Sequence, residues 1–418
     1  MHRYLKNNLI ILVFINSGFV FGYIFQLIMA RTLTPAEYGS FNSLNSISMV
    51  LSVPFTVLPI VFARYTVELA DTGLGKLKNL LFKSSLFMLK VWIVLMVFGF
   101  FLLPGIKSYL HLDSFIPILI VFLDMLLILI LSIMFGILQG LKRFFPLSMG
   151  HSGYAVIRLA AGILLVSFWG LAVNGALLAG TIGTGVVIII CYFVLRDIFI
   201  SKEIVLAKSF YQEMIRYAFP VLIAITMVKL IMTLDMVMVR HYCTEDDSGF
   251  YATASIIGRL AFSLPAVLVI VLFPEVSKHS GKSSENKHLW ITLGLTAIIG
   301  GGITIVYVIW PEWIIMILFG RKYLAGSPFL QIIGANMALL ATANVFFTYY
   351  LANLNYKFLI PLIGGVFLMV GLTLIYHENA LMIAKIQMIS VVCVSIGSLA
   401  IFVTDNSKKS RCKKATIY

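Results

Sequence analysis

Charge is scarce in this chain, and acid is scarcer than base. Only 11% of its 418 residues are charged, and just 17 are Asp or Glu. A soluble domain needs far more charge to cover its surface, so a soluble globular protein is excluded. Cysteine is almost missing as well. Cys191, Cys243, Cys393 and Cys412 show neither paired nor metal-ligand spacing, which argues against a disulfide framework and a zinc site. The seven histidines show no ligand spacing either, so neither a metal nor a cofactor is expected. No low-complexity tract and no Walker loop occur, which argues against direct drive by ATP through this chain alone.

What fills the chain is hydrocarbon. It is 61% hydrophobic, with a mean hydropathy of +1.02. Apolar stretches recur from end to end, most of them long enough to span a hydrocarbon core of about 30 Å. Twelve are expected, at 9–30, 41–63, 81–103, 115–138, 151–168, 172–194, 215–239, 250–273, 289–310, 328–352, 358–376 and 380–402. The chain therefore reads as an all-α polytopic membrane protein. The first stretch follows a short basic start, Arg3 and Lys6. It is too long for a secretory h-region and lacks a small-x-small cleavage site, so it reads as a retained span.

The basic residues orient these spans. With both termini in the cytoplasm, 21 of the 31 Lys and Arg lie in cytoplasmic segments. Five, Arg31, Lys107, Arg240, Arg321 and Lys322, lie outside, and the other five fall within spans. This positive-inside asymmetry sets the topology in the cytoplasmic membrane. It also accounts for the net charge of +14 through contact with membrane lipids, with no nucleic acid as partner.

The chain repeats itself about half a length apart. Thr34-Pro-Ala-Glu37 and Thr244-Glu-Asp-Asp247 each follow a long apolar segment, 210 positions apart. A Thr with an acid three residues later starts a helix, because the two side chains cap the first free N–H groups. Farther on, Pro54 and Phe62 match Pro265 and Phe273 at an offset of 211. Two equal membrane halves are the usual build of a secondary transporter. The expected divisions are an N-terminal bundle at 1–196, a cytoplasmic amphipathic linker at 197–214, a C-terminal bundle at 215–403 and a basic cytoplasmic tail at 404–418. The interval Arg196 to Arg216 carries Lys202, Glu203, Lys208 and Glu213 at spacings that suit an amphipathic helix.

Five segments resemble polysaccharide flippases of the Wzx type, in the multidrug/oligosaccharidyl-lipid/polysaccharide exporter superfamily. They are Ala30-Arg-Thr-Leu-Thr-Pro-Ala-Glu-Tyr-Gly-Ser-Phe41, Gly136-Ile-Leu-Gln-Gly-Leu-Lys-Arg-Phe144, Gly170-Leu-Ala-Val-Asn-Gly-Ala-Leu-Leu-Ala179, Leu234-Asp-Met-Val-Met-Val239, and Gly249-Phe-Tyr-Ala-Thr-Ala254 running to Phe273-Pro-Glu-Val276. The resemblance implies a MATE-like fold of two pseudo-symmetric six-helix bundles around a central cavity. It implies transport of an oligosaccharide linked to an undecaprenyl diphosphate carrier. Polysaccharide polymerase and glycosyltransferases are the implied partners. The third and fourth spans also fit this branch better than the lipid II flippases, which usually carry two extra spans.

Seven charges lie inside the spans: Lys90, Arg158, Lys229, Arg259 and Lys385 against Asp124 and Asp235. A charge at mid-bilayer costs about 2.5–3.5 kcal/mol, so each should face protein or a wet cavity. Lys90, Arg158, Lys229 and Arg259 lie near mid-depth and are the candidate substrate-binding cations. Tyr154 with His151 and Arg158, and Ser255 with Tyr251 and Arg259, share helix faces with them. Thr226, Lys229 and Thr233 share another. Asn42 and Asn45, with Ser46 and Ser52, form an uncharged stripe on span two. Arg suits a phosphate through two parallel bonds and Lys as a point charge. An alternative is that Asp124 neutralises Lys90 on the adjacent span. Asp124 and Asp235 are the candidates for ion coupling; Asp235, about 240° around the helix from Lys229, alternatively has a structural partner.

No positioned acid, base or nucleophile stands in a large external loop, so a membrane-embedded sugar polymerase or ligase is the weaker reading and no catalytic residue is expected. A drug or cation antiporter of the same superfamily is the closer alternative. Its cavity should be acidic or neutral, whereas five basic residues here face two acidic ones within the spans.

Overall fold

A lipid-embedded backbone has no water to bond, so it must satisfy its N–H and C=O groups internally. The computed structural model, which describes residues 2–70, 73–206, 208–265, 284–352 and 355–415, meets that demand with helices alone. No strand occurs among the described residues. Eight described helices are by themselves long and apolar enough to cross a membrane, and a bent pair makes a ninth. The protein is thus a multi-pass, all-α membrane protein. Each of the twelve expected spans falls on a described helix, although the eighth runs beyond the described residues, as do Phe273 and the 273–276 motif.

The chain divides into two compact units, Met1–Leu222 and Ile223–Tyr418. The first holds α1 (His2–Thr32), α2 (Pro35–Leu51), α3 (Val53–Ala70), α4 (Leu74–Tyr109), α5 (Ile116–Gly140), α6 (Phe144–Gly162), α7 (Ala172–Val194) and the short α8 (Arg196–Ile200). Its packing is built from α1 on α6, α6 on α7, and α5 on both α3 and α7. Gly162 is one reason α1 and α6 come so close. A Cβ there would stand 2.5 Å from the Phe25 ring.

The second unit begins within α9 (Lys208–Tyr242). It continues through α10 (Glu245–Gly258), α11 (Ser284–Ile309), α12 (Pro311–Phe319), a 3-10 turn (Arg321–Gly326), α13 (Ser327–Ala352), α14 (Leu359–Ile375) and α15 (Ala380–Ala415). Here α13 packs against α11 and α15, and α14 against α15.

The repeated Thr motifs start helices as expected. Thr34 (φ −69°, ψ 161°) and Thr244 (φ −66°, ψ 157°) adopt nearly the same extended cap geometry. Thr34 forms the full box: its hydroxyl accepts from the Glu37 N–H, and Glu37 Oε2 accepts from the Thr34 N–H at 2.8 Å. Thr244 keeps the first bond, from the Asp247 N–H at 3.1 Å, and donates its hydroxyl to Asp247 Oδ2 at 2.6 Å. Asp is one methylene shorter than Glu.

Three sequence expectations change, and the tail gains a description. Span two is two helices, α2 and α3, bent by 54° where Ser52 ends the first and Pro54 follows. The short fifth span lengthens to Phe144–Phe168, with its last six residues wound as a π-helix. The tail at 404–418 continues α15 as helix to Ala415.

The interval Arg196 to Arg216 is not one amphipathic helix. It is α8, a non-helical stretch over 201–206, and the first turns of α9. That stretch is strapped onto the start of α4. Asn79 Nδ2 donates to Glu203 Oε1 at 2.6 Å, and Asn79 Oδ1 accepts from the Leu206 N–H at 2.9 Å. Lys78 Nζ donates to the Ser201 carbonyl at 2.8 Å, and the Ile204 N–H to the Gly75 carbonyl at 3.1 Å.

Candidate functional site

In the first unit, three helices bring polar groups to one place. Asp124 comes from α5, Tyr154 and Arg158 from successive turns of α6, and Thr184 from α7. Thr184 donates its hydroxyl to Asp124 Oδ1 at 3.2 Å. The centre of the cluster is the bare backbone of Gly180. Tyr154 Oη, Arg158 Nε and Asp124 Oδ2 lie 3.7, 3.9 and 4.0 Å from where a Cβ would stand there. The Arg158 guanidinium carbon sits 4.2 Å from the centroid of the Phe25 ring and 6.0 Å from that of Tyr154. Ring faces therefore help to hold this cation, a favourable contact in its own right. Its Nε is buried with no hydrogen-bond partner, and it makes no ion pair among the described residues.

Lys90 does not join the cluster. It is exposed on α4, with the exposed side chains of Leu86, Phe87 and Val94 one turn away. The expectation that Asp124 neutralises Lys90 is corrected: Asp124 bonds Thr184 and lies in the field of Arg158. His151 lies on the same helix as Tyr154, and its ring packs 4.4 Å from that of Phe135. Asn42 is buried and donates Nδ2 to the Tyr38 carbonyl of its own helix at 2.9 Å. Asn45 is half-buried, and its Nδ2 has no hydrogen-bond partner among the described residues.

In the second unit the cluster joins α9 to α10. Tyr251 donates its hydroxyl to Asp235 Oδ2 at 2.7 Å. Arg259, the residue that ends α10, donates Nη2 to the Met232 carbonyl at 3.3 Å. Met232 lies midway between Lys229 and Asp235, and Arg259 interacts electrostatically with both. Lys229 and Arg259 are half-buried, and neither forms an ion pair among the described residues. Ser255 is buried, its hydroxyl without a hydrogen-bond partner among the described residues, so the Tyr251–Ser255 face packs into protein rather than lining an open wall. Thr233 turns its hydroxyl back to the Lys229 carbonyl. Lys385 is exposed.

Sequence spacing did not find Phe25, Thr184 or the Gly180 floor. It also missed a fully buried staple across α9, α13 and α15. There Asn336 donates to Gln387 Oε1 at 2.9 Å, and Gln387 donates to the Ile231 carbonyl at 2.9 Å. Two amides on apolar helices were the available signal. No group of His, Cys, Asp and Glu able to hold a metal ion occurs among the described residues.

Residues 4–280 match the family described as "Polysaccharide biosynthesis protein". No curated protein matches the chain. Among solved structures, an inward-facing multidrug resistance MATE transporter of the MOP superfamily superposes with a TM-score of 0.78. It is 12% identical, over 94% of this chain and 95% of that one. The lipid II flippase MurJ, in an inward closed conformation, gives 0.75 at 15% identity, over 94% of this chain and 87% of that one. A MOP superfamily transporter from Pyrococcus furiosus gives 0.61 at 14% identity, over 97% and 95%. That protein is described as having a binding pocket of reverse polarity, suggesting a different function. The chain thus shares the fold of these transporters and this flippase.

Proposed function

This chain belongs to the polysaccharide biosynthesis protein family, and from that premise we propose that it is a flippase for a polyprenyl-diphosphate-linked oligosaccharide. It moves that lipid across the cytoplasmic membrane by alternating access, with both termini in the cytoplasm, and supplies cell-surface polysaccharide synthesis. Glycosyltransferases make its substrate and a polymerase consumes the product.

The observation that carries this reading is the pairing of Lys229 with Arg259. Two half-buried cations interact across α9 and α10; neither forms an ion pair among the described residues, and the buried Asp235 lies in the field of Arg259. Like charges in a protein repel, so the pair is relieved when a multivalent anion enters. A diphosphate is such an anion. Arg259 offers it a planar fork and Lys229 a point charge. Arg158, backed by ring faces, is a further cation of the same kind in the first unit. A lipid II flippase shares the fold, which supports a lipid-linked cargo. The Pyrococcus furiosus transporter, whose binding pocket of reverse polarity is described as suggesting a different function, offers a precedent for a change of pocket charge on this fold. Of the two acids, Asp124 is half-buried and bordered by Arg158, whereas Asp235 is enclosed, so ion coupling falls to Asp124.

Deletion of the gene should remove surface polysaccharide and leave lipid-linked oligosaccharide on the inner leaflet. The wild-type chain should restore export. Lys229→Ala with Arg259→Ala should restore it at least about tenfold less well at normal membrane levels, and Arg259→Lys should keep part of it. Full export by the double variant removes the phosphate role. Unchanged polysaccharide together with lost ethidium efflux in the deletion strain replaces the flippase with a cation antiporter.

A further inference from the structure

Helix α11 ends at Ile309, and the chain turns at Trp310, whose backbone (φ −126°, ψ 46°) leaves the helical region. Pro311 opens α12, where its missing N–H is harmless. Beside this turn lies an open cavity of about 590 Å³. Its lining includes Trp310, Glu312, Trp313, Met316, Leu324 and Gln331. The two indoles remain 53% and 60% exposed, so their faces are available. Gln331 donates Nε2 to the Val308 carbonyl at 3.2 Å, which orients the amide and leaves its oxygen as an acceptor. Glu312 forms no ion pair among the described residues. The support beneath is firm, because Ile315, Phe319 and Tyr323 are all buried.

Tryptophan at a membrane boundary is common, and two exposed indoles alone would mean no more than that. The cavity adds what a lipid-facing belt lacks. A carboxylate and an amide stand in the same concave lining as the two rings. Indole faces are broad, rigid apolar plates, a match for the C–H face of a pyranose ring. A carboxylate and an amide complement its hydroxyls. The charge asymmetry of the sequence puts this end of α11 outside the cell.

We propose that this cavity is a saccharide-binding subsite, which receives a pyranose unit of the cargo once it has crossed. The source of the sugar rests on the flippase reading; the chemistry of the site does not.

The full chain in nanodiscs is titrated with maltotriose, cellotriose and triacetylchitotriose, with sorbitol as the acyclic control. At least one triose should change tryptophan emission saturably, with a dissociation constant of about a millimolar, and sorbitol should not. Trp313→Ala and Glu312→Gln should each weaken that binding roughly tenfold. Trp169→Phe should leave it unchanged. No saturable change with any triose, an equal change with sorbitol, or unaltered affinity in both site variants overturns the subsite. Surface polysaccharide in the deletion strain is scored separately. Triose binding by a protein whose deletion spares the polysaccharide removes the flippase reading and leaves the subsite. Absent binding with polysaccharide lost on deletion removes the subsite alone.

Discussion

Tyr251 and Asp235 form a closed pair: the phenol donates to the carboxylate at 2.7 Å, and both side chains are fully buried. Asp235 Oδ1 has no hydrogen-bond partner among the described residues, and the phenol is the side chain that hydrogen-bonds this carboxylate. Tyr251→Phe should therefore cost about 1–3 kcal/mol of stability, the range for a buried polar group left unsatisfied. Asp235→Asn keeps an acceptor for the phenol and removes a buried charge, so it should cost less. Thermal unfolding of the purified variants gives the comparison. An Asp235→Asn chain that unfolds earlier than Tyr251→Phe would contradict it. Export should survive Asp235→Asn, and its loss at unchanged stability would return ion coupling to this residue.

The space over Gly180 separates two substitutions. A single Cβ would meet Tyr154, Arg158 and Asp124 at ordinary contact distances of 3.7–4.0 Å. Gly180→Ala should leave export unchanged. Gly180→Leu drives a larger side chain into the polar cluster and should abolish export while the protein still reaches the membrane. Surface polysaccharide normalised to membrane level reads both. Equal export by the two variants would mean that the cluster has no part in transport.

The strap over 201–206 is testable by protease. A Cβ on Gly75 would stand 2.1 Å from the Lys202 carbonyl oxygen and 2.9 Å from Ile204 Cγ1. Gly75→Ala should lift the strap, and Asn79→Ala should remove both of its side-chain bonds. Trypsin added to inside-out vesicles should then cut after Lys202 faster than in the wild type. An unchanged cleavage rate in both variants would show that these contacts do not hold the segment.

Cys243 lies in the short turn between α9 and α10, and burial, helped by Asp247, pushes its thiol up to about 11. Only the thiolate reacts. Labelling by an impermeant maleimide in intact cells should therefore be slow at neutral pH and rise roughly tenfold per pH unit below that value. Asp247→Asn removes the nearby negative charge and should speed labelling at fixed pH. Labelling confined to inside-out vesicles would invert the expected topology.

Much of this was legible before any coordinates, and the legible parts are local ones. The Thr34 and Thr244 caps depend on residues three apart, so the repeat could be read directly and both helices start there. The mid-span cations could be located along the chain, because depth follows from counting residues at 1.5 Å each. Their partners could not. Lys90 and Asp124 looked like neighbours because their helices are consecutive, yet Asp124 turns toward α6 and α7. Which face a helix turns inward depends on its rotation, and in an apolar chain hydrophobic pattern says little about that.

Composition and charge asymmetry by themselves made this an all-helical membrane chain with an expected orientation, because the bilayer penalises unpaired backbone and buried charge one segment at a time. Tertiary structure alone decided that Phe25 backs Arg158, that Gly180 is the floor of the first cluster, and that Arg259 reaches the Met232 carbonyl of α9. Those relations join residues 22 to 133 positions apart, and they exist only once close packing has set the rotation and depth of each helix against its neighbours.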